Sequence, residues 1–243
     1  MKHLMGIDIG TTSLKGCVFD EQGNELASVT KAYTLLTEGE YVEFPAKRYF
    51  ELFKEAYDEL SQTTHIDAFA IDTQGETIIF LDKNGEPIMN AIVWLDNRAE
   101  KEAKAIEERF GLKEVYEVTG QTEVPAGYPA AKVLWLKNER PELFEKLDKI
   151  VLLEDYLLYC ITGKFVCERS LYSSTLYLDA RNGEYWQEML SFIGIDESYL
   201  PELMESGEKV GEYKGATVCT GALDQISGFD GYGRESPYRR GGA

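Results

Sequence analysis

A chain of 243 residues with 43 acidic and 25 basic side chains carries a formal charge of −18. That balance excludes nucleic acid or an anionic membrane as the main partner, since both need a basic face. It suits a protein that binds a neutral small molecule and handles phosphate through backbone groups and a metal, although a solubilising surface is the simpler reason for the acidity.

Leu4, Met5, Ile7 and Ile9 form the body of a first strand, and Leu14, Cys17, Val18 and Phe19 that of a second. Between them lies the turn Gly10-Thr11-Thr12-Ser13. Gly10 lets the backbone approach a bulky anion, and the three hydroxyls beside exposed N–H groups make a nest for phosphate oxygens. Asp8 stands at the mouth of the turn. A carboxylate does not favour bare phosphate, so Mg²⁺, held through its waters, has to lie between them. An ordinary hairpin with a glycine turn accounts equally for these residues taken alone.

Residues 25–33 read as a third strand, and residues 45–60 as a helix with Tyr49, Phe50, Phe53, Ala56, Tyr57 and Leu60 at helical spacing. Residues 66–71 and 78–81 read as short buried strands around Gln74-Gly75-Glu76. Asp82-Lys-Asn84-Gly85 marks a hairpin turn, with 88–94 as the returning strand. Helices are expected over 97–110, capped by Asn97, and over 129–138, 141–147, 154–161 and 184–193; strands are expected over 149–153 and 216–220. Gly221-Ala-Leu-Asp224-Gln225 opens a glycine-rich helix. Strands, one helix, then alternating strands and helices, with no repeat and no linker, predict a mixed α/β domain with helices packed on a sheet. Residues 234–243 have no apolar face and read as a disordered tail or an appended remnant.

Cys17, Cys160, Cys167 and Cys219 match no zinc or redox spacing, so a reducing cytoplasm is the expected setting. No signal peptide precedes the first strand, and no apolar run is long enough for a bilayer. With only two His in the chain, a Ser-His-Asp or Cys-His machine is not expected.

Three loops at strand ends remain as candidates. In Gln74-Gly75-Glu76 an amide and a carboxylate can chelate adjacent hydroxyls of a polyol, or simply cap a turn. In Trp94-Leu-Asp96-Asn-Arg98 the indole offers a flat face to the C–H side of a sugar. Asp96 or Arg98 can reach hydroxyls or lock each other in a salt bridge; a core Trp followed by an Asp helix cap is the plainer reading. Asp224-Gln225 places a carboxylate at a helix start, held ionised by the helix dipole. Such a weak base serves where the proton leaves late, as in phosphoryl transfer; a plain N-cap is the alternative.

Met5-Gly-Ile-Asp8-Ile-Gly10-Thr11-Thr12-Ser13, Gln74-Gly75-Glu76-Thr77, Ala91-Ile-Val-Trp94-Leu-Asp96-Asn-Arg98-Ala99 and Gly221-Ala-Leu-Asp224-Gln225 stand in the order and spacing of the FGGY carbohydrate kinases. The chain resembles that family from residue 2 to about residue 233. The resemblance implies an α/β, actin-like ATPase (ribonuclease-H-like) domain, its mixed sheet carrying helices on both faces. Residues 2–233 are then the first, sugar-binding domain, with the C-terminal nucleotide domain absent. It further implies ATP-dependent phosphorylation of a sugar or polyol hydroxyl, with ATP and Mg²⁺ as cofactors. Asp8 would belong to the Mg-ATP site, and Gly10, Thr11, Thr12 and Ser13 to the phosphate loop. Gln74, Glu76, Trp94 and Asp96 would line the sugar pocket, Asp224 would be the general base, and Gln225 would sit beside the substrate. The implied partners are a small sugar or polyol, the missing domain and a second copy of the chain as a homodimer, with neither nucleic acid nor membrane.

Two departures from the family's patterns leave the substrate open. Glycerol kinases place Arg where Gly75 stands, and xylulokinases place Met-His where Gly75-Glu76 stands; a pentulose or other small polyol is the expectation. Positioning supplies much of the rate in such reactions, so the isolated half-cleft is expected to be nearly inactive. A non-catalytic actin-like module that binds nucleotide or sugar is the competing reading.

Overall fold

The computed structural model describes residues 1–223, so Asp224, Gln225, the expected glycine-rich helix and the tail lie outside the described residues. The chain opens with an antiparallel meander of β1 (Leu4–Ile9), β2 (Ser13–Phe19) and β3 (Glu25–Ala32). Along β1 and β2 alternate residues are buried, because successive side chains of a strand point to opposite faces. A hairpin of β4 (Leu36–Glu38) and β5 (Tyr41–Phe44) leads into α1 (Ala46–Thr63). The buried stripe of α1, from Tyr49 through Phe53 and Tyr57 to Leu60, covers the meander. Next, β6 (Ala68–Thr73) enters the first sheet parallel to β1, and β7 (Ile78–Leu81) and β8 (Ala91–Ile92) build a second sheet with β5.

Three helices follow, α2 (Glu100–Thr119), α3 (Pro129–Glu139) and the short α4 (Pro141–Phe144). The second sheet is completed by β9 (Lys149–Leu152), whose last residue leads directly into α5 (Leu153–Thr162). The remaining elements are β10 (Val166–Glu168), β11 (Leu178–Asp179), β12 (Glu184–Tyr185), α6 (Gln187–Ile193), β13 (Glu202–Met204), β14 (Lys209–Tyr213) and β15 (Ala216–Cys219).

The first sheet runs β14-β15-β6-β1-β2-β3, with β15, β6 and β1 parallel; the second runs β4-β5-β8-β7-β9 and is antiparallel. One core lies between the two sheets, where Ile7, Ile71 and Val218 share a cluster with Ile79, Val93 and Val151 and with α1 and α5. The opposite face of the second sheet, through Ile78, Phe80 and Ile150, packs on α2, α3 and α6. The fold is α/β with a mixed first sheet, as expected; among the described residues it is the antiparallel second sheet, not the mixed one, that carries helices on both faces. No described helix is long and apolar enough to cross a membrane.

Several elements differ from the sequence expectation, each for a local reason. The strand expected over 88–94 shrinks to β8, because the chain first bridges back to β7 at Pro87 and then crosses to β5. The helix expected to stop at 110 runs on as α2, broken at Gly111, whose φ of 75° only glycine adopts readily. Asn97 does not cap α2, which begins after Ala99; its side-chain amide donates to the Leu95 carbonyl instead. Residues 184 and 185 pair with β11 before α6 starts. The unforeseen strands β4, β5, β10 to β14 have two to five residues each, too few to show a period.

Candidate functional site

The parallel strands place three loops on one edge of the first sheet. Ile9 and Thr73, the last residues of β1 and β6, stand side by side. Gln74 N–H donates to the Ile9 carbonyl at 3.0 Å, which ties the exit of β6 to the exit of β1. Beyond β15, Leu223 bridges to Thr73 in the same direction. The turns after β1, β6 and β15 therefore leave from the carboxyl ends of neighbouring parallel strands, the place where open α/β sheets bind ligands.

Between them lies a hollow of about 170 Å³, lined by Gly10, Thr11, Gln74, Gly75, Glu76, Trp94 and Leu223. The Gly10 turn is closed by a bond from its own N–H to the Ser13 carbonyl, and the Tyr33 hydroxyl donates to the Gly10 carbonyl. Trp94 is 41% exposed, and its Nε1 donates to Thr11 Oγ1 at 3.1 Å, joining the indole to the first turn. Gln74 is buried; its Nε2 donates to the Tyr49 hydroxyl at 3.4 Å, while Oε1 has no partner among the described residues. Burial pushes the Tyr33 and Tyr49 phenols up, so both act as neutral groups. A buried amide oxygen without a donor costs stability unless something supplies one.

Gly75 keeps the wall thin: a Cβ there would stand 3.0 Å from the Leu223 side chain. Glu76 has φ 57°, and Thr77 N–H donates across it to the Gly75 carbonyl at 2.8 Å. This is a γ-turn with positive φ, which strains a residue bearing a Cβ.

Asp8 does not line this hollow. With Asp72, its neighbour across β1 and β6, and Lys15 it faces an adjoining hollow of about 360 Å³ on the first sheet's outer face. Its Oδ1 lies beside the Gly10 turn, 3.9 Å from where a Gly10 Cβ would be. Among the described residues no three His, Cys, Asp or Glu form a metal-holding group. The pair still fits Mg²⁺, which usually keeps several waters and uses only one or two carboxylates plus substrate phosphates. Thr12 and Ser13 lie in the turn but not on the wall of the first hollow.

Asp96 behaves differently from the expected wall residue. It is 0% exposed, and both oxygens are engaged: Oδ1 accepts from Arg98 N and Nε, and Oδ2 from Arg98 Nη2 and from Val42 N–H at 2.6 Å. Arg98 also reaches Glu43 at 2.7 Å and lies between the rings of Tyr41 and Trp135. Of the alternatives left open by the sequence, the described structure has Asp96 and Arg98 locked to each other, behind Trp94. Asp224 and Gln225 lie outside the described residues, directly after Leu223.

Two features of this site were not anticipated. Pro125, Gly127 and Tyr128 line a third hollow, of about 280 Å³, which shares Glu76 and Trp94 with the first. A Cβ on Gly127 would meet the Trp94 carbonyl at 2.7 Å, so the backbones pass at a distance only glycine allows. The Pro125-Ala-Gly127 turn was the one visible signal for it. The second feature is Lys132, a fully buried amine beneath the site, signalled only by a Lys set among the apolar residues of α3.

Comparison with known proteins accords with this arrangement. A xylulose kinase of Staphylococcus xylosus is 31% identical over 216 residues, which cover 87% of this chain and 44% of that protein. The gluconokinase of Bacillus subtilis is 28% identical over 212 residues, covering 85% and 41%. The crystal structure of ligand-bound xylulose kinase from Lactobacillus acidophilus superposes with a TM-score of 0.88 at 28% identity, over 93% of this chain and 49% of that one. The chain thus spans less than half the length of these curated relatives. With three loops at one sheet edge and a match over residues 3–227 to the model of the FGGY family of carbohydrate kinases, N-terminal domain, the chain belongs to that family.

Proposed function

We propose that this chain is the sugar-binding half of an ATP-dependent kinase that phosphorylates a hydroxyl of a pentulose or other small polyol. The observation that carries this reading is a hollow lined by Gln74, Gly75 and Glu76, by the exposed indole of Trp94 and by the Gly10 turn. In this reading Gln74 accepts one substrate hydroxyl and Glu76 a second, while the indole covers the C–H side of the sugar. The turn of Gly10, Thr11, Thr12 and Ser13 receives phosphate oxygens. Asp8, with Asp72 beside it, would hold Mg²⁺. The magnesium nucleotide supplies the phosphoryl group and neutralises part of its charge. Asp224, the next residue in sequence after Leu223, takes the proton of the attacking hydroxyl in this reading, with Gln225 as a further substrate residue. Asp96 acts from behind the wall, by fixing the Trp94 turn through Arg98 and Val42.

The adenine site in this reading belongs to a second domain outside these 243 residues, in keeping with coverage of under half of the relatives. The chain alone then binds sugar weakly and turns over negligibly. Four free cysteines suit a reducing cytoplasm.

Titration calorimetry of the chain with D-xylulose, D-gluconate and glycerol tests the site. A pentulose is expected to bind in the millimolar range or tighter. Gln74→Leu is expected to weaken it about 10-fold, the usual cost of one lost hydrogen bond to a buried group. Binding that is unchanged in Gln74→Leu, or no binding by any of the three, overturns the assignment.

A further inference from the structure

Lys132 is a charge for which the proposed chemistry has no use. It projects from α3, is fully buried, and its Nζ donates to two backbone carbonyls, that of Glu76 at 2.9 Å and that of Val93 at 3.0 Å. Asp96, Glu76 and Arg98 are the charged groups around it, and burial brings its pKa down to about 7. Protonated or neutral, the amine keeps the two N–H donors that two carbonyls require.

The two carbonyls are informative for where they stand. One belongs to the strained γ-turn at Glu76; the other belongs to the residue just before Trp94. The same two turns are joined a second time, by Trp94 N–H donating to Thr77 Oγ1 at 3.3 Å. Glu76 and Trp94 both line the hollow, and the strand pairing nearest their turns is the single Ile78–Ile92 pair of β7 and β8. The buried amine adds a tie at the turns themselves.

We infer that Lys132 is a positioning residue that clips the Glu76 turn to the Trp94 turn and so sets the spacing of carboxylate and indole across the hollow. The inference rests on reading that hollow as a polyol receptor. Orphan carbonyls in a dry interior are costly, and a γ-turn with positive φ persists only when its surroundings hold it. Removing the amine leaves both carbonyls without their donor and lets the turn relax. Glu76 and Trp94 then lose their mutual register, and the loss falls on sugar affinity.

The test uses the 243-residue chain with Lys132→Met, which keeps the length of the side chain, and Thr77→Val, which removes the second tie at nearly constant volume. Amide hydrogen exchange, read without ligand, is expected to accelerate about 10-fold or more at Thr77 and Trp94 in Lys132→Met, with the amides of β1 and β6 unchanged. Thr77→Val is expected to show a smaller acceleration confined to Trp94. D-xylulose should bind about 10-fold more weakly to Lys132→Met, and less so to Thr77→Val. Exchange at Thr77 and Trp94 as slow as in the unsubstituted chain overturns the clip. So does faster exchange spread evenly over β1 and β6, the mark of a residue that merely fills the core. Should Lys132→Met fail to fold, Thr77→Val decides alone: unaltered exchange at Trp94 overturns the inference. If the unsubstituted chain binds no polyol while the exchange pattern appears, the clip stands and the polyol reading falls.

Discussion

Asp224→Asn, in a protein that joins this chain to the second domain proposed above, is expected to lower turnover by about 10² to 10⁴-fold, the usual contribution of a positioned proton acceptor. Sugar affinity should stay within about twofold, because Asn preserves shape and removes only the basic oxygen. The described residues end one position before Asp224. Gly221 N–H is held by Glu154 Oε1 at 2.8 Å, and a Cβ on Gly221 would sit 1.8 Å from the Ile71 carbonyl. The segment therefore runs hard against β6, and Leu223 is delivered to the wall of the hollow. Burial pushes the Glu154 carboxyl well above its ordinary range, and the bond from Gly221 N–H pulls the other way. A coupled assay of ADP release at saturating sugar and ATP gives the answer. Full turnover in Asp224→Asn would remove the residue from the mechanism.

Arg98→Met is expected to destabilise the folded chain by about 3–5 kcal/mol, the cost of leaving a buried carboxylate without its cation. Asp96 has no solvent to fall back on at 0% exposure, and Glu43 would lose the same partner. The guanidinium also fills the space between Tyr41, 4.2 Å from its ring centroid, and Trp135, at 4.9 Å. Met replaces part of that packing but none of the charge. At roughly 2–4 °C per kcal/mol for a chain of this size, the midpoint should fall by about 10 °C. Urea and thermal denaturation measure it. A loss below about 1 kcal/mol would show that the cluster is hydrated and that Asp96 is free to turn toward the sugar. Since the cluster sits behind Trp94, the variant should also weaken D-xylulose at temperatures where it remains folded.

Most of the regular elements near the site were legible from local pattern. Alternation of apolar and polar residues marked β1 and β2, and the spacing of Tyr49, Phe53, Tyr57 and Leu60 marked α1. Gly10-Thr11-Thr12-Ser13 and Gln74-Gly75-Glu76 were legible as loops with chemistry, because glycine, hydroxyl, amide and carboxylate types declare what they can bind. The order of these motifs along the chain disclosed the family. Such signals survive in one dimension because each rests on neighbours a few positions apart.

What the tertiary structure decided was which atoms are left over for a ligand. Asp96 looked as available to a sugar as Gln74 did, until folding brought Val42, 54 residues away, to one of its oxygens and buried the pair with Arg98. Gln74 acquired its meaning the opposite way, through an oxygen that folding buries and leaves without a donor among the described residues. Lys132 gave no sign of its place until α3 carried it to a carbonyl 56 residues away. Residue type and spacing determine which elements form and which groups can react. Whether a given polar atom is consumed internally or offered to a substrate is settled by partners distant in sequence, and these meet only when two sheets and five of their turns close on one another.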